Sequence, residues 1–298
     1  LEFRRVLFRS IPAKDDCAGQ ILVPFPVESA ISGVMESYNR LWYRRTFEIP
    51  AGWQEQKIML HFNASDWQTE VFVNGQTVGT HQGGYDPFSF DITSYLNTNG
   101  PQELAVRVYD PTDSAAIALG KQRNNPSGIW YTPCTGIWDT VWLEPVPQTS
   151  IQKLALTPDI DAHLLHVTAQ VDTVNPGNLT IQAIAKFDGQ VVGQISGPAN
   201  QELSLPVSDL QLWTPESPFL YDLEVALLDG QEVVDSVTSY FGMRKIELID
   251  QDGFKRIALN GKYVFQMGPL DQGYWPDGIY RAPTDEALKW DIEQVKAY

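Results

Sequence analysis

The sequence is poor in cysteine: two residues, Cys17 and Cys134, in 298. They form no CxxC pair and are too few for a disulfide framework, although one bridge between them is compatible with the count. Positive charge is also scarce, with 21 Lys+Arg against 37 Asp+Glu and a net charge of −16. A nucleic-acid or anionic-membrane partner needs a basic face, so both classes are excluded. No apolar run reaches the length of a membrane span. The four histidines (61, 81, 163 and 166) are scattered, and Asp159-Ile-Asp161 lacks the glycine and glutamate of a calcium loop. There is no G-x-S-x-G, no phosphate-binding loop and no G-x-G-x-x-G. These absences imply neither a metal nor a cofactor.

Aromatic residues are abundant: nine Trp, twelve Tyr and thirteen Phe. Such a chain buries sizeable cores, and its length suits two domains, or two plus part of a third. Leu1–Ser10 is arginine-rich in an acidic chain, and Leu7-Phe8-Arg9-Ser10 reads like a translated sequencing adapter. Residues 1–10 are therefore expected to be a non-native scar, replacing a first strand and leaving an open sheet edge.

From Asp15 to Pro147 the chain reads as short strands. Ile58, Leu60 and Phe62 alternate with Lys57, Met59 and His61, as in a half-buried strand. Asn74-Gly75 between two such runs marks a hairpin. Phe88/Phe90/Ile92, Leu104/Val106/Val108 and Val141/Leu143 repeat the period, giving an antiparallel sandwich. Pro145 and Pro147 break the run. A second series follows: Leu165 to Val171, Ile181 to Phe187, a turn at Asp188-Gly189, Leu223 to Leu227, a turn at Asp229-Gly230, and Val233 to Phe241. It suits an immunoglobulin-like sandwich without its disulfide. Beyond Lys245 the pattern changes. Runs either side of Asn260-Gly261 predict a hairpin, Gly268–Pro283 a long loop, and Thr284 an N-cap. Leu288, Ile292 and Val295 then share one helical face. Strand, loop and helix together read as the first unit of an α/β domain.

The segments add up to a resemblance. Val23-Pro-Phe-Pro-Val-Glu-Ser29, Trp42-Tyr-Arg-Arg-Thr-Phe47, Val71-Phe-Val-Asn-Gly75, Gly83-Gly-Tyr-Asp-Pro-Phe88, Gly128-Ile-Trp-Tyr-Thr-Pro133 and Thr135-Gly-Ile-Trp-Asp139 occur in that order. The series resembles the sugar-binding jelly roll of glycoside hydrolase family 2, which holds β-galactosidases and β-glucuronidases. Leu212-Trp-Thr-Pro215 and Tyr240-Phe-Gly-Met-Arg-Lys245 are similar to its immunoglobulin-like domain, and Leu259-Asn-Gly-Lys262 with Phe265-Gln-Met-Gly268 to the entry into its TIM barrel. The resemblance implies a mainly β chain: jelly roll over 11–147, immunoglobulin-like sandwich over 148–246, and the truncated start of a (β/α)8 barrel over 247–298.

It also implies a glycosidase using two glutamates, one as acid and one as nucleophile, the acid following an asparagine. The sequence contains no Asn-Glu dipeptide, so it holds no catalytic residue by this criterion, and the pair is expected beyond Tyr298. Glu28, Glu36 and Glu144 fall in sandwich segments and read as structural or solvated. The loop after Met267 should lie at a barrel strand's carboxyl end, where such barrels bind substrate. Asp271, Gln272, Tyr274 and Trp275 combine hydrogen-bonding groups with aromatic faces and are candidates for sugar contact. Two departures weigh against galactose specificity. Gly268-Pro-Leu-Asp-Gln-Gly273 replaces an Asn-Arg-His-like stretch, and Trp130 occupies the position of an acidic residue that faces the sugar. Trp130 and Gln122 therefore join the candidates, with Lys121 and Asn124 as neighbours.

The partner implied is a carbohydrate. A free-standing carbohydrate-binding module is the alternative, but such a module should end after a sandwich strand near Lys245 rather than within a helix. The acidic balance and low cysteine count suit an extracytoplasmic or a cytosolic bacterial protein equally.

Overall fold

The computed structural model describes residues 2–5, 11–173 and 177–298. The adapter-like Leu7–Ser10 lies outside them. The chain divides into two compact units, Leu1–Pro145 with Pro269–Tyr298, and Val146–Gly268.

The first unit holds β1 (Glu2–Arg5), β2 (Gly19–Gln20), β3 (Arg40–Phe47), β4 (Lys57–Phe62), β5 (Ser65–Asp66), β6 (Gln68–Val73), β7 (Gln76–Gln82), β8 (Phe88–Asp91), β9 (Gln102–Tyr109), β10 (Gly136–Ile137) and β11 (Val141–Val146). One sheet runs β2-β1-β3-β9-β6-β7, a second runs β11-β4-β8, and β5 pairs with β10. Alternation decides the faces. Leu41 and Tyr43 of β3, Ile58, Leu60 and Phe62 of β4, Val71 and Val73 of β6, and Val106 and Val108 of β9 meet in one core. On the outer face of β3, Trp42 packs on Phe72 at 5.4 Å between ring centroids. Arg44 there pairs with Glu103, its neighbour across the strands. The edge of β3 is not open as expected. β1 pairs along it from Glu2↔Arg44 to Arg5↔Leu41, which gives that edge's peptide groups partners.

The second unit holds β12 (Ser150–Asp159), β13 (Leu164–Asp172), β14 (Leu179–Phe187), β15 (Gln190–Pro198), β16 (Glu202–Pro206), β17 (Tyr221–Asp229) and β18 (Glu232–Phe241). Sheets β12-β13-β16 and β15-β14-β17-β18 enclose a core of Leu165, Val167, Ile181, Leu205, Leu223, Val225 and Leu227. Tyr221 is fully buried, and its hydroxyl donates to Asp209 O at 3.1 Å and accepts from Gln211 N at 2.7 Å. Trp213 is half-buried beneath the Arg244 guanidinium, 4.8 Å away. A separate antiparallel sheet, β19 (Ile246–Gln251), β20 (Phe254–Leu259) and β21 (Lys262–Tyr263), turns at Asn260-Gly261 as the sequence predicts.

Residues 269–298 return to the first unit. They end in α1 (Asp285–Ala297), where the Thr284 hydroxyl accepts from Ala287 N at 3.1 Å. Its predicted apolar face, Leu288, Ile292 and Val295, is exposed, and the helix buries none of its residues. Among the described residues the chain is mainly β, no disulfide joins Cys17 to Cys134, and no helix is long and apolar enough to cross a membrane.

Candidate sugar-contact site

The first unit gathers three stretches at one end of β9: Gly83–Tyr85, the segment from Asp110 to Trp138, and the loop after Gly268. At the floor lies Asp66, the last residue of β5, 1% exposed. Its Oδ2 accepts from Gln122 Nε2 at 3.0 Å, and its Oδ1 has no partner among the described residues. Burial, reinforced by the negative charge of Asp110, pushes its carboxyl up to about 7. Gly84 must be glycine here, because a Cβ would sit 2.5 Å from the Asp66 carboxyl.

Gln122 lies just above and is equally buried. Besides Asp66, its Nε2 donates to the Tyr85 hydroxyl at 3.1 Å, and its Oε1 accepts from Cys134 N at 2.5 Å. Both ends of the amide are thus engaged by the protein. Two further acids are nearby. Glu28 accepts from Thr135 N at 3.0 Å and is raised to about 8 by burial. Asp110 accepts from Thr112 N at 2.6 Å and from Thr135 Oγ1 at 3.0 Å, and burial raises it too.

Aromatic rings roof this floor. Tyr131 and Tyr274 lie 4.0 Å apart, Tyr274 and Tyr280 4.7 Å, and Trp138 and Tyr280 5.2 Å. The Tyr85 and Tyr280 hydroxyls are 3.2 Å apart. Burial raises all three phenols Tyr85, Tyr274 and Tyr280, the Tyr274 hydroxyl to about 12, so each stays a neutral hydroxyl. At the rim, Gln272 Oε1 accepts from Lys121 Nζ at 2.7 Å and from the Tyr131 hydroxyl at 3.0 Å.

The candidate residues therefore divide. Gln272 and Tyr274 meet Lys121 and Tyr131 at the rim, whereas Gln122 lies beneath. Asp271 is exposed and holds the loop's own turn, accepting from Gly273 N at 2.8 Å. Trp275 is half-buried and its backbone pairs with Ile279. Trp130 stands under Arg123 at 4.0 Å, outside the ring cluster. Asn124 holds Asp113 rather than facing the rim. Sequence reading missed Asp66, Tyr85, Trp138 and Tyr280. Tyr85, directly after Gly83-Gly84, and Trp138, within Thr135–Asp139, stood in stretches that carried a local signal.

A floor of buried carboxyl and amide groups lies beneath neutral phenols and indole, which sets hydrogen-bond donors and acceptors beside apolar ring faces. The model of the glycosyl hydrolases family 2 sugar-binding domain matches residues 15–143, and the model of glycosyl hydrolases family 2 matches residues 149–244. The chain belongs to glycosyl hydrolases family 2. It is 27% identical over 267 residues to a beta-galactosidase of Thermoanaerobacter pseudethanolicus, covering 84% of this chain and 35% of that one. It is 29% identical to a beta-galactosidase of Streptococcus thermophilus over 86% of this chain and 24% of the other. The Bacteroides uniformis beta-glucuronidase structure matches with a TM-score of 0.78 at 25% identity, over 99% of this chain and 37% of that one. The Ruminococcus gnavus beta-glucuronidase structure shares the fold, with a TM-score of 0.76 at 21% identity over 92% of this chain and 47% of that one. The chain thus spans about a quarter to a third of these two curated relatives.

Proposed function

We propose that this chain is the carbohydrate-handling portion of a glycoside hydrolase that cleaves O-glycosidic bonds by a retaining, two-carboxylate mechanism. Residues 247–298 serve as the entry into its (β/α)8 barrel. Gln272, Tyr274, Lys121 and Tyr131 contact the sugar, Asp271, Trp275 and Trp130 flank them, and Gln122 acts from below as a positioning residue. The observation that carries this reading is the contact of Gln272 with both Lys121 and Tyr131, which joins the loop after Gly268 to the jelly roll. An amide, an ammonium and a phenol beside stacked rings offer donors and acceptors for hydroxyls and faces for C–H patches.

The acids in this portion are not a catalytic pair. Glu28, Asp66 and Asp110 belong to the jelly-roll interior, and Asp110 is satisfied by Thr112 and Thr135. Retaining chemistry needs two carboxyls facing one anomeric carbon at about 5 Å separation. The isolated 298-residue chain is therefore expected to leave aryl β-galactosides and aryl β-glucuronides uncleaved. Sustained release of the aryl group would overturn this. Saturation-transfer NMR with galactose and glucuronic acid tests the sugar contact directly: signals from the sugar should weaken in Gln272→Ala and Lys121→Ala, and unchanged signals in both would remove those residues from the reading.

A further inference from the structure

The far end of the jelly roll carries a second cavity, of about 700 Å3, between the loop from Glu48 to Gln56 and the loop from Leu96 to Gly100. It lies at the start of β9, whereas Asp110 follows the other end of that strand. Eight residues at ~3.3 Å each separate the two places by about 25 Å. The cavity is thus distinct from the rim built by Lys121, Tyr131 and Gln272, and it does not rest on the activity proposed above.

Its construction is that of a preformed polar site. Gln102 is buried beneath it, and every polar atom of its side chain is engaged: Nε2 donates to Asn97 O and Gly100 O, and Oε1 accepts from Asn97 N and Asn74 Nδ2. One amide therefore fixes the backbone of the whole Asn97–Gly100 loop. The opposite wall is fixed by Trp53, which closes a 3-10 turn on Pro50 O at 3.0 Å and packs on the jelly-roll core. The side chains of Gln54, Gln56, Asn97 and Asn99 also line the cavity and make no hydrogen bond among the described residues.

We propose that this cavity is an additional carbohydrate-binding site, selective for a neutral oligosaccharide. Planar amides offer paired donors and acceptors to vicinal hydroxyls, and an indole offers an apolar face to ring C–H groups. The volume falls within the range of roughly 300–1,000 Å3 usual for small-molecule sites. No lysine, arginine or histidine lines it, and Glu48 is its single charge. An anionic sugar meets repulsion there and no counter-ion, while a neutral one meets neither. Rigid walls reduce the ordering cost of binding.

Isothermal titration of the 298-residue chain with cellotetraose, xylotetraose and β-1,4-galactotetraose tests this, with tetragalacturonate as the anionic comparison. At least one neutral tetrasaccharide should bind saturably with a Kd below about 1 mM. The exposed double variant Gln54→Ala/Asn99→Ala should weaken it at least tenfold. Trp53→Phe, which keeps packing volume, should weaken it several-fold. Glu216→Ala, exposed on the second unit, should leave it unchanged. No saturable neutral binding, an unaffected double variant, or tetragalacturonate binding as tightly would each overturn the proposal. If Gln272→Ala alone abolishes binding, this cavity is not the site and the function proposed above still stands. If Gln272→Ala changes nothing while the double variant does, this proposal stands alone.

Discussion

The two sandwiches solve the same packing problem with different interiors. Tyrosine hydroxyls apart, all the buried polar side chains among the described residues except Ser150 belong to the first unit. Its interior admits Asp66, Asp110, Gln122 and Thr135 beside its apolar core, whereas Leu165, Leu205, Leu223 and Leu227 of the second unit pack with other apolar groups. Buried polar groups are expensive unless paired, and Asp66 Oδ1 and Glu28 Oε1 have no partner among the described residues. An apolar core of this kind suits a scaffold. An interior with uncompensated acids has the character of a site, because perturbed carboxyls cluster where they can act on a ligand.

The largest effect expected to sharpen this contrast is in the second unit. Leu223→Ala removes a fully buried side chain and should lower its stability by about 2–5 kcal/mol, read as urea unfolding followed by hydrogen exchange of peptides from 164–241. A loss under 1 kcal/mol would show that its core is loosely packed after all.

The first unit should instead respond to pH. Asp66 and Glu28 have folded values near 7 and 8, above their ordinary values of 3.8 and 4.5. A raised carboxyl means the folded state holds the proton more tightly. Its stabilising contribution is full below pH 4 and is lost as pH rises toward 8. The loss is on the order of 4 kcal/mol for Asp66. Exchange of 57–110 measured from pH 5 to 9 should accelerate with this excess over 164–241, and Asp66→Asn should reduce the slope. In the second unit Asp159 is shifted the other way, lowered by hydrogen bonds from Ala162 N and Asp161 N. It therefore adds no loss over the same range. Equal slopes in the two units would break the comparison.

Smaller effects follow. Tyr221→Phe removes the hydroxyl that joins Gln211 N and Asp209 O and should cost about 1 kcal/mol in urea unfolding of the second unit. Thr284→Ala removes the cap of a helix that buries nothing, at about 1 kcal/mol of helix stability. Amides of 285–297 should already exchange rapidly and do so faster in the variant. Strong protection there would contradict the exposed face.

Local chemistry was readable wherever local rules decide. The alternation of Ile58, Leu60 and Phe62 matches β4, and Asn74-Gly75 turns between β6 and β7 with both residues at positive φ. Three of the strands that escaped notice did so for evident physical reasons. In β12 a register shift between Ile151 and Lys153 breaks the period of two. In β15 Gly193 and Gly197 look like breaks, yet a Cβ at Gly193 would lie 1.9 Å from Pro206 O and one at Gly197 2.4 Å from the Leu203 side chain. These glycines let β15 pass close to β16, where Leu203 and Leu205 alternate with Glu202 and Ser204 over only five residues, too short a run to stand out. The candidate site was less legible still. Asp66 and Gln122 meet across 56 positions and Lys121 and Gln272 across 151, and no periodicity within a segment encodes such encounters.

The protonated state of Asp66 and Glu28 has a calorimetric consequence. When the jelly roll opens near pH 6, both carboxyls return to water and discharge hydrogen ions into the surrounding solution. The heat absorbed in a scanning experiment then depends on the ionisation enthalpy of whatever accepts them. Melting in phosphate and in imidazole at matched pH should differ in apparent enthalpy for this reason, and the difference counts the acids that the fold keeps neutral.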